Sequence, residues 1–162
     1  MALLSMYDRA LPQVFGYLRV RAGNEAVAED LTAETFLAAV QAIDRDAVPE
    51  VSVAWLIGVA RHKLVDNWRR EARETRGLQL RPDHQVVPDG VDELFERART
   101  HEVLEELGPH HRAALTLRYI DGLPVPEVAD HLDRTVHATE ALLVRARNAF
   151  RVVYARGELD AD

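Results

Sequence analysis

LPVPEVADHLDRTVHATEALLVRARNAFR, the stretch Leu123–Arg151, decides the fold of this chain. Pro124 and Pro126 suit the first turn of a short helix, where backbone N–H groups have no intrahelical partner. The segment Asp133–Thr135 predicts a tight turn that ends on a threonine, a favoured N-cap, before a longer helix over about Val136–Tyr154. A short helix, a tight turn and a second helix have the spacing of a helix-turn-helix.

The second of these helices has one charged side. The residues on the face opposite the apolar stripe that begins at Leu143 are His137, Glu140, Val144, Arg147 and Arg151. If this side binds DNA, its early residues would meet base edges in the major groove and its arginines would contact phosphates. The alternative is an ordinary amphipathic helix with a solvated charged face. The pattern alone leaves both interpretations open.

Helical periodicity dominates the rest of the chain, and no run alternates as a strand would. The apolar stripes are Phe36, Ala39, Val40 and Ile43, with Asn24 as a candidate N-cap; Leu56, Ala60, Leu64 and Trp68; and Leu143, Ala146, Phe150 and Val153. The segment Gly77–Gly90 (GLQLRPDHQVVPDG) contains prolines and glycines and has no helical period, so it predicts a flexible linker. We therefore expect an all-α protein of two small helical domains, residues 1–76 and 91–162, the second containing the helix-turn-helix.

Charge is distributed unevenly along the chain. The formal net charge is −7, which argues against a free-standing DNA-binding protein that depends on phosphate attraction. Two basic segments nevertheless occur, at residues 61–81 and 132–156, in an otherwise acidic chain. Any contact with DNA is therefore expected on these two segments.

Several classes of function are excluded by what the sequence lacks. There are no cysteines, which rules out disulfides, cysteine-ligated zinc and thiol nucleophiles. The histidines show no metal-helix spacing and neither serine lies in a nucleophile elbow, so we expect no metal, no cofactor and no enzymatic activity. No apolar run is long enough to span a membrane and the N-terminus does not resemble a signal peptide, so we expect a cytoplasmic protein without membrane insertion.

Parts of both predicted domains resemble a known family. AEDLTAETFLAAVQAI (Ala28–Ile43) and AWLIGVARHKLVDNWRRE (Ala54–Glu71) closely resemble region 2 of the extracytoplasmic-function sigma factors. LEELGPHHRAALTLRYIDGLPVPEVADHL (Leu104–Leu132), with the helix after it, resembles region 4 of the same family. The two signatures occur in the family's order. The resemblance implies an alternative sigma factor, which binds core RNA polymerase and directs it to specific promoter DNA.

In this family the helix of the AEDL-x-x-ETF motif docks on the clamp coiled coil of the polymerase's largest subunit. The resemblance assigns that contact here to Asp30, Leu31, Glu34 and Thr35. Its carboxylates would face basic residues of the partner, whereas the alternative is a solvated acidic helix face. Ala33 stands where the family usually has glutamine, which removes one polar contact. The resemblance also implies a contact with the flap of the polymerase's second subunit.

The family's next helix recognises the −10 element, and the loop before it holds a flipped-out base. That loop corresponds to about Asp44–Ser52, which matches the family poorly, so no base-pocket residue is assigned. The predicted −10 contacts are Arg61, His62, Lys63, Asp66, Arg69, Arg70 and Arg73. Trp55 and Trp68 are candidate stacking platforms. Aromatic residues at helical spacing are more often core, and for Trp68 we favour the core.

The predicted −35 contacts lie in and just before the second helix of the helix-turn-helix: Arg134, His137, Thr139, Glu140, Arg145 and Arg147. The family commonly has a Gly-Thr-Val-Lys-Ser-Arg-like run where this chain has His137–Leu142. A lysine and an arginine position have thus become Glu140 and Leu142, which should weaken phosphate attraction and change the bases recognised. Asp133 stands at the family's usual turn glycine and tolerates a left-handed backbone better than most residues.

Three functions are compatible with these observations. The first is a working sigma factor, for which the resemblance also implies an anti-sigma factor as a partner, although some members of the family lack one. The second is a helix-turn-helix regulator that works without polymerase, which the altered recognition helix and the net charge of −7 disfavour. The third is a degenerate sigma-like protein that titrates an anti-sigma factor, which would leave the arginines of both basic segments without a clear task. We favour the first.

Overall fold

The structure is a computed structural model that describes residues 2–46, 50–74 and 99–160. Within these ranges every regular element is helical and there is no strand, which confirms the all-α prediction. The α-helices are α1 (Ala2–Ala22), α2 (Glu25–Asp44), α3 (Val53–Glu74), α4 (Thr100–Glu106), α5 (Pro109–Leu115), α6 (Val125–Leu132) and α7 (Val136–Asp160). A π-helical segment, Thr116–Ile120, lies between α5 and α6. Among the described helices, none combines the length and the hydropathy that a membrane-spanning segment needs.

The chain divides into two compact units, Met1–Asn67 and Trp68–Asp162, and the division falls within α3. The first unit contains α1, α2 and most of α3, and the second contains α4 to α7. The predicted linker, Gly77–Gly90, lies outside the described residues. The domain boundaries at 76 and 91 therefore stay predictions.

Asn24 and Ser52 set the starts of two helices in the first unit. The Asn24 side-chain oxygen accepts hydrogen bonds from the backbone N–H groups of Ala26 (2.9 Å) and Val27 (3.3 Å), which confirms it as the N-cap of α2. The Ser52 hydroxyl accepts one from the N–H of Trp55 (3.1 Å) at the start of α3. Both oxygens satisfy N–H groups that have no intrahelical acceptor, which stabilises the first turn of each helix.

The core of the first unit forms where the apolar faces of its helices meet. On α3 the predicted stripe is buried: Leu56, Ala60 and Leu64 in this unit are at most 1% exposed, and so is Trp68, the first residue of the second unit. The stripe on α2 is confirmed only in part, because Phe36 and Ala39 are buried but Val40 is 40% exposed. Successive helical residues are about 100° apart, and this rotation carries Val40 past the edge of the face that α2 packs against α1.

In the second unit α7 packs against α5 and α6. The large side chains that are fully buried there are Val103, Leu115, Leu117, Val128 and Phe150. Arg112 on α5 joins its helix to the end of α4, because its Nε donates to the carbonyl of Leu104 (3.1 Å) and Nη2 donates to that of Glu105 (2.9 Å). Carbonyls in the last turn of a helix lack the usual i+4 backbone donor, so this arginine supplies side-chain donors at the end of α4.

The helix-turn-helix predicted from the sequence is formed by α6, the turn after it and α7. Asp133 ends α6 in the left-handed region, at φ 53° and ψ 50°. The N–H of Arg134 then donates to the carbonyl of Ala129 at 3.0 Å, as in a Schellman motif. The Thr135 hydroxyl accepts a hydrogen bond from the N–H of Ala138 at 3.1 Å, which confirms the predicted N-cap. Asp133 therefore takes the backbone conformation that the family's glycine takes most easily.

The apolar stripe of α7 is confirmed for Leu143, Ala146 and Phe150, which are buried, whereas Val153 at its end is only half-buried. The helix continues to Asp160 rather than ending near Tyr154. No proline interrupts the residues beyond the predicted end, and a single glycine in a helix costs only about 1 kcal/mol relative to alanine. Helix α7 is thus longer than its apolar pattern indicates.

Candidate partner and nucleic-acid surfaces

The motif on α2 contains exposed acidic residues and buried residues that pack into the core of the first unit. Asp30 and Glu34 are exposed and lie one turn apart on the same side of the helix. Leu31 is 2% exposed and Thr35 is 0% exposed, and the Thr35 hydroxyl donates to the Leu31 carbonyl at 2.7 Å. Asp30 and Glu34 can therefore meet a partner in this fold, whereas Leu31 and Thr35 anchor the helix in the first unit.

An exposed leucine extends the acidic side of α2. Leu37 is 59% exposed and follows Glu34 by one turn, so that it lies in a row with Asp30 and Glu34. Sequence reasoning missed it because an apolar residue of an amphipathic helix is assigned to the core by default. Its spacing from Asp30 is the signal that places it on the polar side instead.

Four polar residues of α3 are exposed and share one face of the helix: His62, Asp66, Arg70 and Arg73. Arg69 and Lys63 flank this face and are half-buried. A surface with several arginines and a histidine suits the backbone of single-stranded DNA. The structure thus brings together six of the residues predicted to contact the −10 element.

Arg61 lies on a different side of α3. It is half-buried, and its guanidinium carbon is 6.0 Å from the centre of the Tyr17 ring on α1. Arg21 lies over the same ring at 3.7 Å, a cation–π distance. Packing against α1 therefore separates Arg61 from the exposed face, which the spacing of residues on α3 alone does not reveal.

The two tryptophans have different environments. Trp68 is 1% exposed, which confirms the expectation that it belongs to the core. Trp55, in the first turn of α3, is half-buried. A ring must be accessible before a base can stack on it, so Trp55 is the better candidate for a stacking platform.

The start of α7 presents part of the predicted charged face. His137 and Glu140 are exposed and Val144 is 48% exposed, whereas Arg147 and Arg151 are half-buried. Arg145, which lies off this face, is exposed. Leu143, on the buried side of the helix, is 3% exposed. The helix-turn-helix thus exposes basic, acidic and apolar side chains on the surface that would contact a DNA major groove.

Thr139 and Leu142 lie on the buried side of the same helix. Thr139 is 0% exposed and its hydroxyl donates to the Thr135 carbonyl at 2.8 Å. Leu142 is 3% exposed. The expectation that Leu142 removes a phosphate contact is not supported, because this position packs in the core. Among the departures from the family run, Glu140 is the one that changes the charge of the exposed face.

Two half-buried arginines complete the basic side of the second unit. The Nη1 atom of Arg147 donates to the hydroxyl oxygen of Tyr119 at 2.9 Å. Arg134 lies in the turn before α7, where burial lowers its pKa and the positive charge of Arg145 lowers it further. The charges of Arg134 and Arg145 therefore repel each other, and a bound anion would relieve that repulsion.

His111 on α5 belongs to the same cluster of positive charge. Burial lowers its pKa from 6.5, and the charges of Arg145, His110 and Arg134 lower it further. His111 is half-buried, and nothing in the pattern of α5 indicates that it lies near these arginines. Within the ranges that the structure describes, no three His, Asp or Glu side chains gather as metal ligands would.

The chain matches two family models, in the order in which these surfaces occur. Residues 6–74 match Sigma-70 region 2, and residues 97–150 match Sigma-70, region 4. The ECF RNA polymerase sigma factor SigL of Mycobacterium tuberculosis is 30% identical over 155 residues, which cover 91% of this chain and 86% of SigL. The chain belongs to the ECF sigma factor family.

This sigma factor is similar to other proteins of known sequence or structure. The ECF RNA polymerase sigma factor BldN of Streptomyces coelicolor is 31% identical over 147 residues, which are 87% of this chain but only 56% of BldN. The sigma factor RpoE from Bartonella quintana, solved with the anti-sigma factor NepR, aligns over 93% of this chain and 95% of its own with a TM-score of 0.56. Its sequence identity of 19% supports a shared fold alone.

The stability of this sigma factor is expected to fall below about pH 6.5 in a way that depends on His111. Folding lowers the pKa of this histidine from 6.5, so the unfolded chain takes up the proton first as the pH falls. The contribution of His111 to the free energy of unfolding is therefore fully present above about pH 6.5 and is lost as the pH falls below that value. Urea unfolding at pH 7.5 and pH 5.5, followed by far-UV circular dichroism, measures the loss.

The variant His111→Gln should lose less stability between these two pH values than the wild type. His101, which is exposed on α4, supplies the control His101→Gln. Equal losses in wild type and His111→Gln would show that His111 does not contribute to the pH dependence.

Proposed function

We propose that this chain is an alternative sigma factor, which binds core RNA polymerase, directs it to specific promoters through −10 and −35 contacts and catalyses no reaction itself. The observation that supports this most strongly is the match to region 2 and region 4 in one chain. Each matched region exposes a charged face on the helix that the family uses. We place the protein in the cytoplasm, where its polymerase would be.

The contact with core polymerase is proposed for the exposed side of α2. Asp30 and Glu34 offer carboxylates to basic residues of the clamp coiled coil, and Leu37 offers an apolar contact in the same row. Leu31 and Thr35 support the contact from inside the unit by fixing the helix. The second proposed contact, between the second unit and the flap of the polymerase's second subunit, rests on the resemblance alone.

The −10 contact is proposed for the exposed face of α3. The arginines of this face would neutralise phosphates of the separated strand, and His62 and Asp66 would hydrogen-bond bases. Arg61 would act indirectly in this scheme, through its position beside Tyr17. Trp55 is the candidate for stacking on an unpaired base.

The −35 contact is proposed for the first turns of α7. His137 and Glu140 would meet base edges, and a glutamate there would accept a hydrogen bond from a cytosine amine. Arg134, Arg145 and Arg147 would contact phosphates on either side of the groove. Because Glu140 repels phosphate, binding of the −35 element should depend strongly on these three arginines.

Glu140 also favours a second candidate, a sigma-like protein that titrates an anti-sigma factor. An acid on the exposed face of a recognition helix weakens DNA binding but not protein binding. The solved RpoE structure contains an anti-sigma factor bound to a protein of the same fold. We propose such a partner for this chain as well, under either function.

Run-off transcription with core polymerase on genomic DNA of the host tests the proposal. Reactions with and without the chain are compared and the start sites are mapped. Discrete new starts that share two motifs at the spacing of a −35/−10 pair are the expected result. Binding to core polymerase without new starts would favour the titrator, and neither binding nor starts would refute the sigma factor function.

A further inference from the structure

Arg147 is half-buried on α7, at one edge of the exposed face. It lies about two turns after Glu140 and on the same side of the helix. A free arginine side chain samples many rotamers, and fixing it at a phosphate costs up to about 2 kcal/mol of conformational entropy. Anything that orders this side chain before DNA binds would reduce that cost.

Tyr119 provides such an ordering contact. Its hydroxyl oxygen lies 2.9 Å from Nη1 of Arg147, although the two residues are 28 positions apart in the chain. A guanidinium has five N–H donors, so one bond to this oxygen leaves others available to a phosphate.

The backbone that holds Tyr119 is itself well fixed. Thr116 and Leu117, at the start of the π-helical segment, are 2% and 1% exposed. The N–H of Asp121 donates to the Thr116 carbonyl at 2.9 Å, and the N–H of Leu123 donates to that of Leu117 at 3.0 Å. The tyrosine hydroxyl therefore occupies a defined position relative to α7, as a positioning group requires.

We propose that Tyr119 is a positioning residue for the −35 contact, whose hydroxyl holds the Arg147 guanidinium in place for a DNA phosphate. This inference rests on the proposed function, since it assigns Arg147 a phosphate. It adds to the DNA-binding surface a residue that lies outside the helix-turn-helix and contacts no DNA itself. The alternative is that the hydrogen bond between Tyr119 and Arg147 only stabilises the packing of the π-helical segment against α7. The experiment must distinguish this structural role from the positioning role.

A double-mutant cycle in the reconstituted holoenzyme tests the proposal. The four proteins are the wild type, Tyr119→Phe, Arg147→Ala and the double variant, each bound to core polymerase. Affinity is measured for a promoter fragment mapped by run-off transcription and for the same fragment with its −35 element replaced. Arg156→Ala is the matched control, because Arg156 is exposed and lies nine residues beyond Arg147, on the opposite side of α7.

We expect Tyr119→Phe to weaken binding to the intact promoter by about 3- to 10-fold, the range for losing one hydrogen bond of ordinary strength. Arg147→Ala should weaken it by about 10-fold or more and reduce the salt dependence by about one phosphate contact. In the Arg147→Ala background, Tyr119→Phe should have no further effect. Neither variant should change binding to the fragment without a −35 element.

Each contrary result has a distinct meaning. Wild-type affinity in Tyr119→Phe, or an equal loss in both Arg147 backgrounds, would overturn the positioning role. A loss on both promoter fragments, together with a lower urea midpoint, would assign Tyr119 a structural role only. If the wild-type holoenzyme does not distinguish the two fragments, the proposed −35 function is wrong and this inference fails with it.

Discussion

Reversing two charges on α2, in the double variant Asp30→Arg, Glu34→Arg, is expected to lower the affinity of this chain for core RNA polymerase by about 100-fold or more. Both carboxylates are exposed on one side of the helix, where the proposed partner is basic. Like charges placed opposite each other across an interface cost several kcal/mol, and about 1.4 kcal/mol corresponds to a factor of ten. Fluorescence polarisation of the labelled chain, titrated with core polymerase, measures the affinity.

Glu25→Arg is the control for this experiment. Glu25 is exposed in the first turn of α2 and lies nine residues before Glu34, on the opposite side of the helix. Its reversal should change core binding by less than about 3-fold, while circular dichroism shows both variants to be folded. Wild-type affinity in the double variant would mean that α2 is not the polymerase contact.

Truncation of one aromatic side chain, in Phe150→Ala, is expected to destabilise the second unit by about 3–5 kcal/mol. Phe150 is 0% exposed, and its ring stacks on that of Tyr154 with the ring centres 6.1 Å apart. Small domains have total stabilities of only several kcal/mol. The variant should therefore be largely unfolded in its second unit near 37 °C and should lose −35 binding. Urea unfolding followed by ellipticity at 222 nm measures the change.

Val152→Ala on the same helix is the matched control, since Val152 is 37% exposed. Surface substitutions usually change stability by no more than about 0.5 kcal/mol. The structure indicates that Phe150 anchors the core of the second unit. Equal shifts of the unfolding midpoint in the two variants would contradict this. A loss of −35 binding without a loss of stability would instead place Phe150 in the DNA contact.

Local signals in the sequence predicted most of the helical framework. The Asn24 cap, the Thr135 cap and the turn at Asp133 depend on residues within three or four positions of each other, and all were found where predicted. The stripes on α3 and α7 were correct for the same reason, because helical spacing alone determines which residues share a face. The longer α7 was missed, since its last turns bury few residues and so leave little pattern.

The detailed composition of the candidate surfaces could not be predicted in this way. A matched motif does not distinguish its exposed members from its buried ones, so Leu31, Thr35 and Thr139 were assigned contacts although they lie in the cores. The position of Arg61 beside Tyr17 depends on how α1 packs against α3, and the position of Tyr119 beside Arg147 depends on the fold of the second unit. Such neighbours are far apart in sequence, and periodicity carries no information about them.

The left-handed residue at Asp133 and the cap at Thr135 together fix the residue at which α7 begins. Since each residue advances an α-helix by about 100°, one insertion in this turn would change the direction of the whole exposed face that we propose for the −35 element. A substitution on that face, in contrast, changes one side chain and leaves the orientation of the face unchanged. If α7 binds the −35 element as proposed, promoter preference can therefore diverge by exchange of side chains on α7, while geometry holds the length of the turn constant.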